Sequence, residues 1–460
     1  MATKLKDVET WRAEPAAPWP EPELRGHRIP GYRYSSKDFF EQEWEGMWTK
    51  VWLLLGRADE IPETGDYQME EVGPESFIMV RQEDGSIKAF YNVCQHRAAR
   101  LVFNDVDSVD AFICPYHGWR WEIDGELTHV IDPEDFPEGD PCGKLRLEEV
   151  RCEVFAGFIW INMDPDCVSL KEYLGPVWDD WAAYDIDKWK RYVAMTVNTP
   201  VNWKVTLDNF NESYHLPTVH PQTEGRIEEN YKWTQFDMAP EGHARMWMRG
   251  GAPSRSLIGT DKPLMNPSLE DQLQRWELDP ADFEGREFET REAIQQSMRE
   301  VGPERGYDHF ANLRDHQLTD TYHYFVFPNF AVSVWADGFH FLRARPHPTD
   351  PTQSVFDNWW YSPVPKDNCE DVRTIVGPMP ADTECEPDRF NYGEKSMGLL
   401  IDQDIGVTRG QQLGFRSRGY KGVYLAKQEH RIRRYHEVID DYIEGRRPAP
   451  GKTSPVEDID

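Results

Sequence analysis

Residues 91–127 contain two short motifs that decide the fold, YNVCQHRAARL at 91–101 and ICPYHGWRWEIDGEL at 113–127. Together they read Cys94-x-His96, 17 intervening residues, then Cys114-x-x-His117. Each motif follows a strand-like run, so each lies on a loop at the end of a strand. Two such loops can close on one centre, and two thiolates with two imidazoles are ligands for a metal.

Two kinds of metal centre fit this set of ligands. One is a structural zinc ion, and the other is a Rieske [2Fe–2S] cluster, in which histidines replace cysteines on one iron. Zinc sites usually pair like ligands, as in C-x₂₋₄-C and H-x₃₋₅-H. Each motif here mixes one Cys with one His, which favours one iron held by thiolates and one held by imidazoles.

The pattern of strand-like and helical segments around these motifs predicts an α+β protein. Residues 1–50 indicate a Pro-rich arm and a helix from about Ser36 that packs on the larger of two domains. Residues 51–165 predict a small all-β domain, inserted into a larger α+β domain at 166–460 that is built on an antiparallel sheet with helices. The strand-like runs of the small domain include VWLLLG, SFIMVRQ, IKAFYNV, DAFICPY, WRWEI and GFIWINM.

Composition excludes several classes of function. Acidic residues outnumber basic ones 82 to 51, giving a formal charge of −31, which argues against nucleic acid or an anionic membrane as partner. The seven cysteines are an odd number spread thinly, unlike a disulfide framework. No apolar run is long enough to span a bilayer and no targeting signal is evident, so a cytoplasmic protein is expected.

A second constellation lies in residues 202–220, NWKVTLDNFNESYHLPTVH. Asp208, Glu212 and His215 are spaced i, i+4, i+7, which predicts one face of a helix that ends at about His215, before Pro217. A break in the helix after His215 would let His220 fold back onto the same centre. Two His and one carboxylate form the facial triad of non-haem Fe(II) oxygenases, whereas the spacing H-x₄-H alone also fits two structural histidines.

The two motifs resemble those of the Rieske non-haem iron oxygenases, the family of the oxygenase (alpha) subunits of aromatic-ring-hydroxylating dioxygenases. The resemblance runs from about residue 35 to 440. It implies His215 and His220 as iron ligands and a late-helix acid as the third. LIDQDIGVTRGQQ at 400–412 offers Asp404, which fits the family pattern better, and Asp402. The implied ligands of one [2Fe–2S] cluster are Cys94, His96, Cys114 and His117.

The resemblance also gives Glu212 a role. In the family, the acid at this position bridges a Rieske His of one subunit and an iron-binding His of the next. Most aromatic dioxygenases carry an Asp in a motif that is one residue longer. The Glu and the shorter motif here resemble the branch that includes carnitine and glycine-betaine oxygenases. Asn209 and Asp208 are further candidate neighbours of the iron.

The implied function is that of a terminal oxygenase. Electrons from a separate reductase, with or without a ferredoxin, serve O₂ activation at a mononuclear Fe(II), and a small organic substrate is hydroxylated, dihydroxylated or demethylated. An aromatic substrate, a role in aromatic hydrocarbon catabolism and a homotrimer-based assembly are expected. The alternatives are a Rieske electron-transfer protein and a zinc-stabilised binding protein without oxygenase activity.

Substrate contacts are less well specified by the sequence. Arg249, Arg343 and Arg345 are candidates to anchor an acidic substrate, with ordinary salt bridges as the alternative. Aromatic residues in the runs 320–345 and 354–362 indicate a sheet core, part of which is expected to line the pocket. These aromatic residues are Tyr322, Tyr324, Phe325, Phe327, Phe330, Trp335, Phe339, Trp359 and Trp360.

Overall fold

The computed structural model describes residues 15–26, 28–223 and 227–447. The chain divides into two compact units. The smaller is built on Glu41–Tyr173, with His347–Asp350 and the segment that starts at Tyr442. The larger is built on Leu174–Pro346 and Pro351–Asp441, together with the chain up to Phe40. No helix within the described residues is long and apolar enough to cross a membrane.

The first part of the chain is rich in strands. The predicted early helix is present, and the Ser36 hydroxyl accepts a hydrogen bond from the Phe39 backbone N–H at its start. The elements are α1 (Lys37–Gly46), β1 (Leu53–Arg57), β2 (Asp66–Val72), β3 (Glu75–Arg81), β4 (Ile87–Tyr91), β5 (Val106–Ser108), β6 (Ala111–Ile113), β7 (Arg120–Glu122), β8 (Leu127–His129), β9 (Glu149–Phe155), β10 (Phe158–Asn162) and α2 (Leu170–Leu174).

Two antiparallel sheets organise the smaller unit. Seven strands lie in the order β1-β10-β9-β4-β3-β2-β5, and β6-β7-β8 form a three-stranded sheet. The turns Asp84-Gly85 and Asp124-Gly125 place their glycines at φ of +81° and +93°, where a Cβ would be disfavoured. Cys94 follows β4 and Cys114 follows β6, and both are buried in one hydrophobic cluster with Trp119.

The rest of the chain alternates helices and strands. The polar region 252–310 is a helical excursion, as its composition indicates. The elements are α3 (Pro176–Ala182), β11 (Lys190–Thr199), α4 (Trp203–Phe210), α5 (Leu216–Val219), β12 (Gln235–Met238), β13 (Ala244–Met248), α6 (Pro267–Arg275), α7 (Thr290–Val301), α8 (Asp315–Thr319), β14 (Thr321–Val326), β15 (Phe330–Trp335), β16 (Gly338–Pro346), β17 (Ser354–Ser362), β18 (Val372–Thr374), β19 (Gly377–Met379), β20 (Asp388–Asn391), α9 (Leu399–Gly414) and α10 (His430–Ile443).

One large sheet forms the frame of the larger unit. Its eight strands lie in the order β12-β13-β14-β15-β16-β17-β11-β20. All neighbours are antiparallel except β11 and β20, which are parallel. Strands β14 and β16 are buried along their whole length, because their runs of aromatic and aliphatic residues pack on both faces. The predicted fold class, a small all-β domain with a larger α+β domain on an antiparallel sheet, is confirmed.

Candidate functional site

The first candidate site is formed by the two loops that follow β4 and β6. Like ligands lie side by side across the loops, because the Cys94 and Cys114 side chains contact each other and the ring centroids of His96 and His117 are 4.6 Å apart. Each loop therefore supplies one thiol to a pair of thiols and one imidazole to a pair of imidazoles. This arrangement suits two irons of different ligation.

The polar atoms of these loops fit a bound cluster. Nδ1 of His96 and Nδ1 of His117 are buried and have no hydrogen-bond partner within the part of the chain that the structure describes, which is costly unless a ligand satisfies them. Burial raises the pKa of the Cys94 thiol, and contact with Cys114 raises it further. A metal that binds the thiolates removes this cost, since thiolates are the metal-binding form.

Each of the two loops contains the same type of backbone turn. In each, the Cys carbonyl accepts a hydrogen bond from the N–H four residues later, at 3.1 Å for Ala98 to Cys94 and 3.0 Å for Gly118 to Cys114. Both later residues are left-handed, with φ of +58° at Ala98 and +67° at Gly118. Glycine adopts this conformation freely, whereas an L-residue with a Cβ does so at a cost.

Replacing Ala98 with Gly is therefore expected to stabilise the smaller unit by about 1 kcal/mol in the free energy of unfolding. The measurement is denaturant unfolding followed by the visible absorbance of the cluster. Gly118→Ala is the matched control, because a Cβ there meets nothing within 4 Å and tests the backbone conformation alone. We expect that variant to lose a similar amount, and a stabilised Gly118→Ala would contradict the argument.

The second candidate site begins where α4 ends. The predicted helix through His215 is wrong, because α4 ends at Phe210 and a separate short helix, α5, follows His215. The helical turn thus lies between His215 and His220, where the sequence predicted a break, and Pro217 fits in its first turn, where no N–H is needed. Asp208, Glu212 and His215 consequently do not share one helix.

Tertiary contacts explain the early end of α4. A continuous helix would pair the N–H groups of Tyr214 and His215 with the carbonyls of Phe210 and Asn211. The Phe210 carbonyl instead accepts a hydrogen bond from His323 Nε2 at 2.6 Å, and the Asn211 carbonyl accepts one from Arg431 Nε at 3.0 Å. The freed N–H groups donate to the Glu212 carboxylate.

His215, His220 and Asp404 converge on one point. Their ligand atoms all lie within 4.8 Å of one another. Asp404 Oδ1 is 2.8 Å from His220 Nε2 and 3.4 Å from His215 Nε2. His220 and Asp404 are buried, at 3% and 4% exposure, so the three groups face a protected centre.

Hydrogen bonds to the far side of each ring set its tautomer. His215 Nδ1 lies 2.6 Å from Glu212 Oε1, and His220 Nδ1 lies 2.8 Å from Gln403 Oε1. Because carboxylate and amide oxygens only accept, each Nδ1 carries the proton and each Nε2 is left as a ligand. This donor set of two imidazoles and a carboxylate fits a mononuclear Fe(II).

The charges of the centre support one another. Burial lowers the pKa of His215, but hydrogen bonds with Asp404 and Glu212 outweigh it and raise the pKa to about 10. Without a metal the ring therefore holds a proton on Nε2 as well, and a metal that binds Nε2 displaces that proton. Burial raises the pKa of Asp404, but the close contacts with His215 and His220 outweigh it and lower the pKa to about 2. The carboxylate therefore stays anionic, as a metal ligand requires.

The remaining predicted residues occupy different positions. Asn209 Nδ2 donates to Asp404 Oδ1 at 2.9 Å, next to the centre. Asp208 turns elsewhere and accepts a hydrogen bond from the Tyr34 hydroxyl at 2.6 Å. Asp402 accepts from the Met397 backbone N–H at 2.8 Å, so the structure brings Asp404, and not Asp402, to the two histidines.

A cavity of about 390 Å³ opens beside this centre. Its surface is mostly apolar, although about half of the side chains that line it are polar or charged, and of the aromatic residues in the two predicted runs, Trp335 and Trp360 reach it. The lining also includes His215, His220, Asp404, Phe210, Met246, Met248, Leu318 and Ile401. A cleft that combines a mostly apolar surface with polar groups is typical of a small-molecule site.

The arginines chosen from the sequence do not line this cavity. Arg343 and Arg345 both pair with the buried Asp357 inside the sheet. Two other arginines line it, Arg275 and Arg373. Their segments, at the end of α6 and on β18, carry no motif, so sequence reasoning had no signal by which to find them.

Two segments of the chain match known protein families. Residues 186–445, more than half of the chain, match the family described as ring hydroxylating alpha subunit (catalytic domain). The chain belongs to the ring-hydroxylating alpha subunit family. Residues 51–139 match the Rieske [2Fe-2S] domain, which contains the paired loops described above.

The relatives of this alpha subunit are oxygenase subunits. It is 33% identical over 207 residues to the carnitine monooxygenase oxygenase subunit of Escherichia coli K12, covering 45% of this chain and 55% of that protein. It is 30% identical over 281 residues to the biphenyl dioxygenase subunit alpha of Paraburkholderia xenovorans LB400, covering 54% and 60%. The chain thus spans little more than half the length of these curated relatives.

Solved structures share the fold of this alpha subunit. A quaternary ammonium Rieske monooxygenase in complex with L-carnitine aligns with a TM-score of 0.61 and 19% identity, over 90% of this chain and 95% of that one. Naphthalene 1,2-dioxygenase from Rhodococcus sp. bound to indole aligns at 0.62 and 18% identity, over 92% and 95%.

Proposed function

We propose that this protein is the terminal oxygenase component of a Rieske-type mono- or dioxygenase. The observation that carries the proposal is the convergence of His215, His220 and Asp404 within 4.8 Å at the wall of an apolar cavity. The Rieske domain match supports the same function, because a plain electron carrier needs no second metal centre and no substrate cavity.

The proposed cofactors are one [2Fe–2S] cluster and one mononuclear Fe(II) per subunit. Bound iron supplies the chemistry that activates O₂ next to a substrate. Asn209 holds the Asp404 carboxylate in place, and Glu212 holds the His215 ring. The proposed cluster ligands are Cys94, His96, Cys114 and His117, and the proposed iron ligands are His215, His220 and Asp404.

The apolar residues of the cavity help to exclude water from the site. Phe210, Met246 and Leu318 contribute apolar surface to the cavity that His215, His220 and Asp404 also line, so a substrate that enters displaces water from it. Asp208 has a different proposed role, because its partners Tyr34 and His436 make it a support for α4.

Electron supply and assembly complete the proposal. A separate reductase, with or without a ferredoxin, donates the electrons, and a homotrimer-based assembly brings the Rieske domain of one subunit to the iron of the next. Glu212 is the proposed bridge, since its carboxylate already contacts His215. The proposed domains are 1–50, 51–165 and 166–460, and the proposed location is the cytoplasm.

The test combines metal counting with turnover. The purified protein is expected to contain about three irons per chain, with visible absorbance from the cluster. With a surrogate reductase and NADH it is expected to consume O₂ and form hydroxylated or demethylated product from an aromatic panel. Iron limited to two per chain would indicate an electron-transfer protein, and a colourless zinc protein would contradict the proposal outright.

A further inference from the structure

A row of side chains crosses the sheet where it forms the wall of the cavity. Strand register places Met246 opposite His323, His323 opposite Ser333, Ser333 opposite His340, and His340 opposite Trp360. All five side chains line the cavity. The row is apolar at both ends and polar in the middle, and its three polar groups belong to neither proposed metal centre.

Hydrogen bonds fix the proton of Ser333. His323 Nε2 lies 2.6 Å from the Phe210 carbonyl, so Nε2 carries the proton of a neutral ring. Burial lowers the pKa of His323 to about 3, which keeps the ring neutral. Its Nδ1 must then accept, and the Ser333 hydroxyl donates to it at 2.8 Å. Ser333 Oγ therefore offers the cavity only lone pairs.

The same reasoning applies to His340. The Asn358 amide nitrogen donates to the Met397 carbonyl at 2.8 Å, which directs the amide oxygen Oδ1 to His340 Nε2 at 2.7 Å. Nε2 is thus the donor, and Nδ1 is an acceptor. Burial lowers the pKa of His340 to about 4, so the ring stays neutral. Within the described residues no group donates to this Nδ1.

The charges around the cavity are already neutralised in pairs. Glu212 and Asp404 contact the iron-binding histidines, and the two positive charges of the proposed Fe(II) would balance the two carboxylates. Arg275 pairs with Asp337, and Arg373 forms two hydrogen bonds with Asp271. Within the row that crosses the sheet, two neutral acceptors thus remain, and the charged side chains of the described lining already have partners.

We propose that the substrate is a neutral molecule bearing a hydroxyl or N–H donor, positioned by His340 Nδ1 and Ser333 Oγ. This inference rests on the proposed oxygenase function and names the substrate class of that same cavity. The donor is held by the acceptor pair on β15 and β16, and the apolar body of the molecule packs between Met246 and Trp360. His340 and Ser333 are then specificity-determining residues.

A trimethylammonium substrate is the main competitor, because Trp335 and Trp360 provide aromatic faces that attract cations. Such a group carries no N–H donor. Binding it would strip water from His340 Nδ1 and Ser333 Oγ without replacing the lost hydrogen bonds, which is costly for buried acceptors. In addition, the two indoles stack on each other at 5.5 Å, so one face of each is occupied.

The test measures binding to the iron-loaded protein by calorimetry, without reductant and without O₂. The probes are 2-naphthol, its methyl ether 2-methoxynaphthalene, and glycine betaine, a trimethylammonium compound without a hydroxyl. We expect 2-naphthol to bind at least about tenfold more tightly than the ether. Equal affinities, no measurable binding of 2-naphthol, or tighter binding of glycine betaine would each overturn the proposal.

Variants assign the preference to the two residues. His340→Leu is expected to bring the affinity ratio to about one, and Ser333→Ala, which disturbs the sheet less, is expected to lower it. His340→Gln is the matched control, because its amide keeps a donor for Asn358 and an acceptor for the ligand. A tenfold ratio that survives in both His340→Leu and Ser333→Ala refutes the assignment. Normal iron content and turnover, together with equal affinity for 2-naphthol and its methyl ether, would refute this inference alone. Missing iron would refute the proposed function.

Discussion

Replacing Asp404 with Ala is expected to abolish mononuclear iron binding and product formation while the cluster remains intact. Asp404 is the one anionic ligand of the proposed triad, and it is in contact with both His220 and His215. Removing a neighbour of a ligand typically costs 10–100-fold in metal affinity, so loss of the ligand itself should cost at least about 100-fold. Iron per chain should therefore fall from about three to about two, with unchanged visible absorbance.

Asp402→Ala is the matched control two residues earlier on α9. Its carboxylate accepts a hydrogen bond from the Met397 N–H, so its loss should cost about 1 kcal/mol of stability and leave the iron in place. Asn209→Ala should give an intermediate result, with iron affinity reduced about tenfold, because Asn209 donates to Asp404. Iron retained by Asp404→Ala, or lost from Asp402→Ala, would contradict the ligand assignment.

The sequence predicts which of the candidate ligands lie together, because spacing along the chain constrains their positions. Cys94 and Cys114 each follow a strand, and the pattern of mixed Cys and His favours a pairing of like ligands across the two loops, which is the arrangement in the structure. Asp404 is likewise separated from Asp402 by its fit to the family pattern, and the structure places it at the two histidines.

The local path of the chain at the iron site was less accessible. The end of α4 depends on His323 and Arg431, which take the Phe210 and Asn211 carbonyls from more than 100 residues away in sequence. A window around His215 contains no trace of those contacts, and helical spacing is the natural prediction there. The same helical spacing predicts Asp208 on the face of His215, next to the proposed iron.

The cavity wall was equally hidden, since it depends on strand register. Ser333 and His340 become neighbours only because β15 and β16 pair in one register, and a slip of either strand by one residue would put the two side chains on opposite faces of the sheet. Alternation along a strand shows which residues share a face, but it does not show which residue of the next strand lies opposite.

Replacing Glu212 with Gln is expected to slow intersubunit electron transfer by at least about tenfold without emptying the iron site. The Glu212 carboxylate accepts three hydrogen bonds, from His215 Nδ1 and from the Tyr214 and His215 backbone N–H groups. A Gln amide has one acceptor oxygen and one donor nitrogen. The amide oxygen can accept either from the imidazole or from the two backbone N–H groups. The amide NH₂ would then face the remaining donors, so the ring of His215 loses its fixed orientation.

The measurement follows reoxidation of the prereduced cluster after mixing with O₂ and substrate, by visible absorbance in stopped flow. Gln403→Leu is the matched control, because Gln403 supports the other ring, His220, at 2.8 Å and is not the proposed bridge. We expect that variant to bind iron less tightly but, when iron is saturating, to reoxidise its cluster at the wild-type rate. Wild-type reoxidation in iron-loaded Glu212→Gln would exclude Glu212 as the bridge. Equal slowing in both variants would show that ring orientation alone, without the Glu212 carboxylate, controls the rate.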